Sequence, residues 1–409
     1  MADDVPVSPP LEAIAFFRAK GIVFGFAWQD VWQAEHAIAF TVAKAMSRDV
    51  LETIRAAVDK AIADGETLDT FRKELRPRLE ALGWWGRKPM LDPLTGERKT
   101  VQLGSPRRLR TIFAVNMRTA YQAGRWERIV KQKVAFPYLR YTSVLDGRER
   151  PQHHAWHGTV KPVDDPWWDS HYPPCGWNCR CTATAFSRRM LDKRGYAVTE
   201  VPPAFEARPW TNKRTGEVTT VEEGIDPGWS YNVGKARMDA LAPAPLPKGF
   251  EGRDGAAAAA IGAGLAGFFD IFGITAAEAR RGRVIEDKGG WPLAVSLAWF
   301  VADGALAPIA RASAAELRRV AQVIADPSEI RWAWVNALDG SKLLFRRYVR
   351  LDQDGAVDAI VDIGRDGWRY RVAGDADLSR LRRGVIAWSA TARVGASDTP
   401  RDRQRGMGA

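Results

Sequence analysis

Lys342-Leu-Leu-Phe-Arg-Arg-Tyr-Val-Arg-Leu351, the pair Asp354-Gly355, Ala356-Val-Asp-Ala-Ile-Val-Asp-Ile363, the pair Asp366-Gly367 and Trp368-Arg-Tyr-Arg-Val372 decide the fold class of the C-terminal part of this chain. Each run is short and rich in β-branched and aromatic residues, and each break is an Asp-Gly pair, whose Gly takes the positive φ of a tight hairpin turn. A further run, Arg331 to Ala337, precedes Asp339-Gly340. Four strands joined by three such turns predict a four-stranded antiparallel meander. Just upstream, Leu317, Val320, Val323 and Ile324 recur at helical spacing within Ala314 to Ala325. Helix and meander together predict a small α+β domain over about 280–395, with 396–409 as a flexible tail.

Working towards the N-terminus, Leu241-Ala-Pro-Ala-Pro-Leu-Pro-Lys-Gly249 cannot be the interior of an element, because Pro lacks a donor and fixes φ. A Pro- and Ala/Gly-rich linker is expected over 241–279, its stretch Gly255 to Gly267 reading as a flexible helix or packed connector. The first domain then runs over 1–240. It is α-rich. Leu51, Ile54, Val58 and Ile62, then Phe71, Leu75, Leu79 and Leu82, mark two amphipathic helices. Gly83 stops the second, and Asp92-Pro-Leu-Thr-Gly96 suits a turn between short strands. A third helix is predicted from Pro106 to Lys133. It carries eight Lys or Arg against one Glu, and Arg110, Arg118, Arg125 and Arg128 gather on one flank. That flank is the best candidate surface for nucleic acid; a merely solvated helix face fits the same charges.

After a strand at Tyr138 to Ser143 and the turn Asp146-Gly147, helical periodicity disappears over a loop-rich module of about 141–190. All three cysteines, Cys175, Cys179 and Cys181, and four of the five histidines, His153, His154, His157 and His171, lie in this module. A segment without an aliphatic core needs aromatic packing or a bound metal for rigidity, and thiolates with imidazoles are the ligands tetrahedral zinc prefers. Structural zinc is one reading and packed free thiols the other, since Cys-x-x-x-Cys-x-Cys is not the common zinc-knuckle spacing. A thiol nucleophile has no oxyanion hole or orienting group to support it.

Composition narrows the function classes. With 409 residues, 46% hydrophobic and 27% charged, the chain suits two or three folded domains rather than a disordered scaffold. A net charge of +11 favours a polyanionic partner, nucleic acid above all. No polybasic run flanks an amphipathic or spanning segment, and Ala256 to Phe269, the longest charge-free apolar stretch, is too short for a bilayer, so no membrane partner is expected. Met1 to Pro10 has no charged-then-apolar leader pattern, so synthesis and retention in cytoplasm are expected.

Several motifs in order then carry a resemblance. They are Leu103-Gly-Ser-Pro-Arg-Arg-Leu-Arg-Thr-Ile112, Asn116-Met-Arg118 to Gly124-Arg-Trp126, Asp146-x-Arg148 with Pro151 and His154, Pro173-Pro174-x-Gly176-Trp-Asn-Cys179-Arg-Cys181, and Asp226-Pro-Gly-Trp-Ser-Tyr-Asn232. Lys20-Gly and Glu35-His36-Ala-Ile-Ala-Phe40 fit as well. Over roughly residues 10–240 the chain resembles the phage Mu F-like head morphogenesis family. The resemblance implies a minor capsid protein of a tailed phage or prophage, acting in head assembly near the portal. Its expected partners are portal and capsid proteins and packaged DNA, and its place the virion, after synthesis in the host cytoplasm. The family commonly has another residue at Cys175, which favours His154, Cys179 and Cys181 as metal ligands, with Cys175 as the fourth candidate.

The part from about 280 to 395 resembles the small phage-borne nuclease modules of the barnase, EndoU and RelE-like group, through its helix, Asp326-Pro-Ser-Glu-Ile330 and Arg346-Arg-Tyr348-Val-Arg350. The resemblance implies an alternative function, a phage-delivered RNase effector that works without metal. Such an enzyme needs a cation on the scissile phosphate and a group to move the 2′-hydroxyl proton. Lys288, Arg331, Arg346 and Tyr348 could provide these, with Ser389 or Thr391 as a hydroxyl ligand; edge-strand charges and a core tyrosine would account for the same residues. No histidine follows His171, so the usual neutral-pH base is missing.

Overall fold

The computed structural model describes residues 10–241, 263–302, 305–306, 308–336, 342–364, 367–372 and 378–390. The chain divides into two units, Met1–Ala244 with the short segment Asn336–Leu343, and Pro245–Val335 with Leu344–Ala409, the main break lying within the Pro-rich segment.

In the first unit, α1 (Leu11–Arg18) leads to β1 (Gly21–Ile22), which pairs in parallel with β2 (Ala39–Phe40). The two predicted helices are α2 (Arg48–Asp64) and α3 (Leu68–Ala81). Ser47 and Thr67 cap them by accepting from Val50 N and Thr70 N, each cap stabilising its helix by about 1 kcal/mol. Gly65, at φ +67°, ends α2 in the left-handed conformation that glycine adopts without strain. The hairpin of β3 (Arg87–Leu91) and β4 (Arg98–Gln102) turns through Asp92 to Gly96. Then α4 (Pro106–Gln132) runs for 27 residues from its cap Ser105.

Beyond it come β5 (Tyr138–Thr142), α5 (Pro151–Ala155), β6 (Val160–Pro162), α6 (Trp167–His171), β7 (Thr182–Phe186) and α7 (Arg188–Arg194). β5 is the middle strand of the antiparallel sheet β6-β5-β7. The hairpin of β8 (Ala207–Thr211) and β9 (Val218–Glu222) and the helix α8 (Val233–Leu241) complete the unit. In this arrangement α4 packs against α1, α2, α3 and α8. The approach of α1 is so close that a Cβ on Gly124 would sit 2.8 Å from the backbone nitrogen of Ala13. Arg214, in the β8–β9 turn, donates to Asp30 Oδ1 at 2.7 Å and to Asp92 Oδ2 at 2.6 Å, so one half-buried cation between two buried carboxylates pins the turn of the β3–β4 hairpin.

The second unit begins with α9 (Ala263–Ile271) and α10 (Ala276–Arg281). The first falls inside the linker expected over 241–279, and the second begins inside it and ends at Arg281. The stretch folds because Leu265, Phe268 and Phe269 are buried, Phe268 meeting Phe300 edge-on at 4.9 Å, which offsets the weak helical preference of the glycines. Residues 242–262 lie outside the described residues. The hairpin of β10 (Arg283–Glu286) and β11 (Pro292–Val295), the short pair β12 (Val301–Ala302) and β13 (Ala305–Leu306), and α11 (Ala314–Ala325) follow. The predicted meander appears as β14 (Glu329–Asn336), β15 (Lys342–Leu351), β16 (Val357–Gly364) and β17 (Gly367–Val372). A fifth strand, β18 (Val385–Ser389), pairs antiparallel with β14, so the sheet order is β17-β16-β15-β14-β18. Four strands become five because Val385 to Ser389 is too short and too weakly alternating to stand out alone; it becomes a strand by completing the hydrogen bonds of β14. α11 packs on β16 through a stripe that buries Leu317, Val320, Ala321, Val323 and Ile324. Among the described residues no helix is long and apolar enough to cross a membrane.

Candidate functional site

The loop-rich module is built around aromatic rings. Trp156 is fully buried, stacks on His153 at 5.2 Å, and meets Tyr141, His171 and Phe205 edge-on. Around this hub, the turn from Cys175 to Cys181 is held by Asp226. Its carboxylate accepts from Trp177 N at 2.7 Å and from Arg150 Nη2 at 2.6 Å, and its own N–H donates to Cys175 O at 3.0 Å. Gly176 passes so near this pair that a Cβ there would lie 2.5 Å from Asp226 Oδ2. The spacing of the cysteines thus becomes a defined turn through Asp226, more than forty residues away.

The turn places Cys179 Sγ 3.7 Å and Cys181 Sγ 3.4 Å from Nδ1 of His153. These three ligand atoms lie within 4.8 Å of one another, and all three residues are buried. The other ring nitrogen, His153 Nε2, lies 2.7 Å from Gly224 O; donation there leaves the Nδ1 lone pair facing the sulfurs. The Cys181 thiol pKa is pulled down, first by the neighbouring Cys179 thiol and then by His153 alongside. Burial lowers the Arg118 pKa, and its charge interacts with both sulfurs.

Two of the expected ligands are elsewhere. His154 is exposed and pairs with Glu149 Oε1 at 3.0 Å. On α5 the side chains of His153 and His154 leave the axis about 100° apart, and it is His153 that faces the hub with Trp156. Cys175 is buried but donates to His171 O at 3.3 Å and is not part of the three-ligand group; burial pushes its thiol pKa up. His157 accepts from Ser143 N, and His171 lies 3.3 Å from Glu222. Sequence reasoning missed His153, Asp226 and Gly224. The i, i+3 spacing of His153 and Trp156 was the available signal for the first.

The basic flank of α4 is largely taken up inside the unit. Arg110 is exposed, whereas Arg118 is half-buried, with its Nη1 in a buried position and lacking a hydrogen bond. Arg125 donates to Ala183 O at 3.4 Å, and Arg128 pairs with Glu12 at 2.7 Å. Helices packed on several sides of α4 leave less solvent-facing surface than its charge pattern suggests.

In the second unit the candidate residues separate. Arg346, 2% exposed, donates to Asp287 Oδ2 at 2.5 Å and Oδ1 at 2.8 Å, and the Tyr348 hydroxyl donates to Asp287 Oδ2 at 2.7 Å. These two stand on the middle strand of the sheet rather than on an edge, and burial raises the Tyr348 pKa well above its ordinary value. Arg331 pairs with Glu329 at 2.8 Å and donates to Gly384 O. Lys288 is exposed, 3.7 Å from Asp326, and Ser389 on β18 lies opposite Glu329. Thr391 lies outside the described residues.

Each unit contains a stretch that matches a known family. Residues 52–184, which include the His/Cys centre, match the family described as Phage Mu protein F like protein. Residues 267–389 match the phage-Barnase-EndoU-ColicinE5/D-RelE like nuclease2 family. Among individual proteins, the chain is 44% identical over 241 residues to the putative capsid assembly protein F of Escherichia phage Mu, covering 56% of this chain and 55% of that one. It is 42% identical over 222 residues to the Mu-like prophage FluMu F protein of Haemophilus influenzae, covering 51% and 52%. The chain therefore spans about half the length of the curated relatives it matches. No solved structure matches it.

Proposed function

We propose that this chain is a minor capsid protein of a tailed phage or prophage that acts in head assembly, close to the portal and in contact with packaged DNA. The observation that carries the reading is the 44% identity over 241 residues to a protein named for capsid assembly. The net charge of +11 supports the DNA contact, and exposed Arg110 is the cation of the α4 flank best placed for it. The virion is the proposed location, after synthesis in the host cytoplasm. Deletion of the gene from an inducible prophage should yield misassembled or empty heads by electron microscopy, restored by the gene in trans. Normal full heads from the deletion refute the proposal.

A second reading is favoured by the nuclease-like match over 267–389: the C-terminal unit cleaves RNA, and the Mu F-like unit carries it. Since Arg346 and Tyr348 are enclosed, phosphate contact in this reading falls to Lys288 and the partly exposed Arg331. RNA cleavage by the full chain, abolished in Lys288→Ala with folding intact, supports it; intact RNA across varied substrates removes it.

A further inference from the structure

We propose that His153 Nδ1, Cys179 Sγ and Cys181 Sγ hold a zinc-type divalent cation, with the fourth coordination position open to the pocket beside them. The argument begins with distance. Around a tetrahedral zinc with Zn–S of about 2.3 Å and Zn–N of about 2.0 Å, sulfur and nitrogen ligands stand about 3.5 Å apart. The two N···S separations, 3.4 and 3.7 Å, already have that value. Both sulfurs and the imidazole nitrogen can therefore reach one ion with little movement.

The second support is the far side of the imidazole. Metal-bound histidines generally donate their other ring nitrogen to a carbonyl or carboxylate, which fixes tautomer and ring plane. His153 does so to Gly224 O at 2.7 Å. The third is charge. Loading replaces two thiol protons, which pass to solvent, so the ion is neutralised by two thiolates.

All three ligands line one pocket of about 120 Å³, together with Glu149, Arg150 and Arg180. Neither Cys175 nor His154 joins the three-ligand group, so the fourth ligand comes from solvent or from a small molecule in that pocket, as in zinc sites with one open position. The ion ties together α5, the turn from Cys175 to Cys181 and, through His153, the segment at Gly224. Those segments are separated in sequence and share little aliphatic core, the situation in which metal binding contributes folding free energy directly.

The test uses the purified full chain. Metal content after gel filtration should be about one zinc per chain, and the cobalt(II)-loaded protein should show the thiolate-to-cobalt charge-transfer band and the intense visible bands of tetrahedral coordination. Cys181→Ser and His153→Ala should lose both signals, while His154→Ala and Cys175→Ser keep them. Folded wild type that takes up neither zinc nor cobalt overturns the proposal, as does a cobalt signal that survives His153→Ala but vanishes in His154→Ala or Cys175→Ser. Where a ligand variant fails to fold, the wild-type cobalt spectrum decides: two-thiolate intensity supports the site, and an octahedral spectrum without charge transfer refutes it.

Discussion

Removing the carboxylate of Asp287 should destabilise the second unit rather than merely alter its chemistry. Asp287 accepts from Arg346 Nε and Nη2, from the Tyr348 hydroxyl at 2.7 Å, and from Gly289 N and Trp291 N at 2.9 and 3.0 Å. In Asp287→Ala the guanidinium of Arg346, 2% exposed, is left buried without its counter-charge, a change that costs about 3–5 kcal/mol. The rings of Trp291, Trp332 and Tyr348 lie within 6 Å of that guanidinium and stay in place, offsetting roughly 1 kcal/mol. A net loss of about 3 kcal/mol follows, against a domain stability of roughly 5–15 kcal/mol. With a urea m-value of about 2 kcal/mol/M, the transition of this unit, followed by tryptophan fluorescence of the full chain, should move down by about 1.5 M. The double variant Asp287→Ala with Arg346→Met should recover much of that, because it removes the unpaired charge. A shift below about 0.5 M, or a double variant no better than the single one, refutes the reasoning. The consequence for any nuclease assay is direct: loss of activity in Arg346→Ala or Tyr348→Ala would be confounded with lost stability, so Lys288→Ala is the cleaner probe.

Other outcomes follow from the same contacts. Chelation of the full chain should lower the melting temperature of the first unit by several degrees and leave the second unit's transition in place; equal melting with and without chelator contradicts a structural metal. Gly124→Ala should cost about 1–3 kcal/mol by pushing α1 off α4, since the new Cβ would meet backbone at 2.8 Å; calorimetry checks it. The Glu329 carboxyl is pulled down from 4.5 to about 2, chiefly by its hydrogen bond from Arg382 and also by Arg331. A depressed folded pKa means that the pair's stabilisation is complete above pH 4.5 and lost as pH falls towards 2. Arg382 is a third exposed, so we expect about 1–2 kcal/mol after solvent screening. Acid titration of Glu329→Gln beside the wild type should therefore differ in that window, and identical profiles would refute the assignment.

What the sequence determined by itself was everything governed by local spacing. The apolar repeats gave α2, α3, α4 and α11 to within a few residues, because a helical stripe is written in i, i+3 and i+4 positions. The Asp-Gly pairs marked the meander, because the backbone of a tight turn needs a residue that accepts positive φ. The crowding of His and Cys into one module located the candidate centre. Tertiary structure decided which atoms meet. Neighbouring His153 and His154 are equivalent in composition, and only the packing of α5 against Trp156 turns one towards the thiols and leaves the other in solvent. Arg118 and Arg125 read as part of an open basic flank until neighbouring segments cover them, Arg128 stays exposed but pairs with Glu12, and Arg346 reads as a surface cation until Asp287 arrives from 59 residues away. Long-range contacts of this kind depend on how elements pack in three dimensions, and residue spacing along the chain carries no record of that.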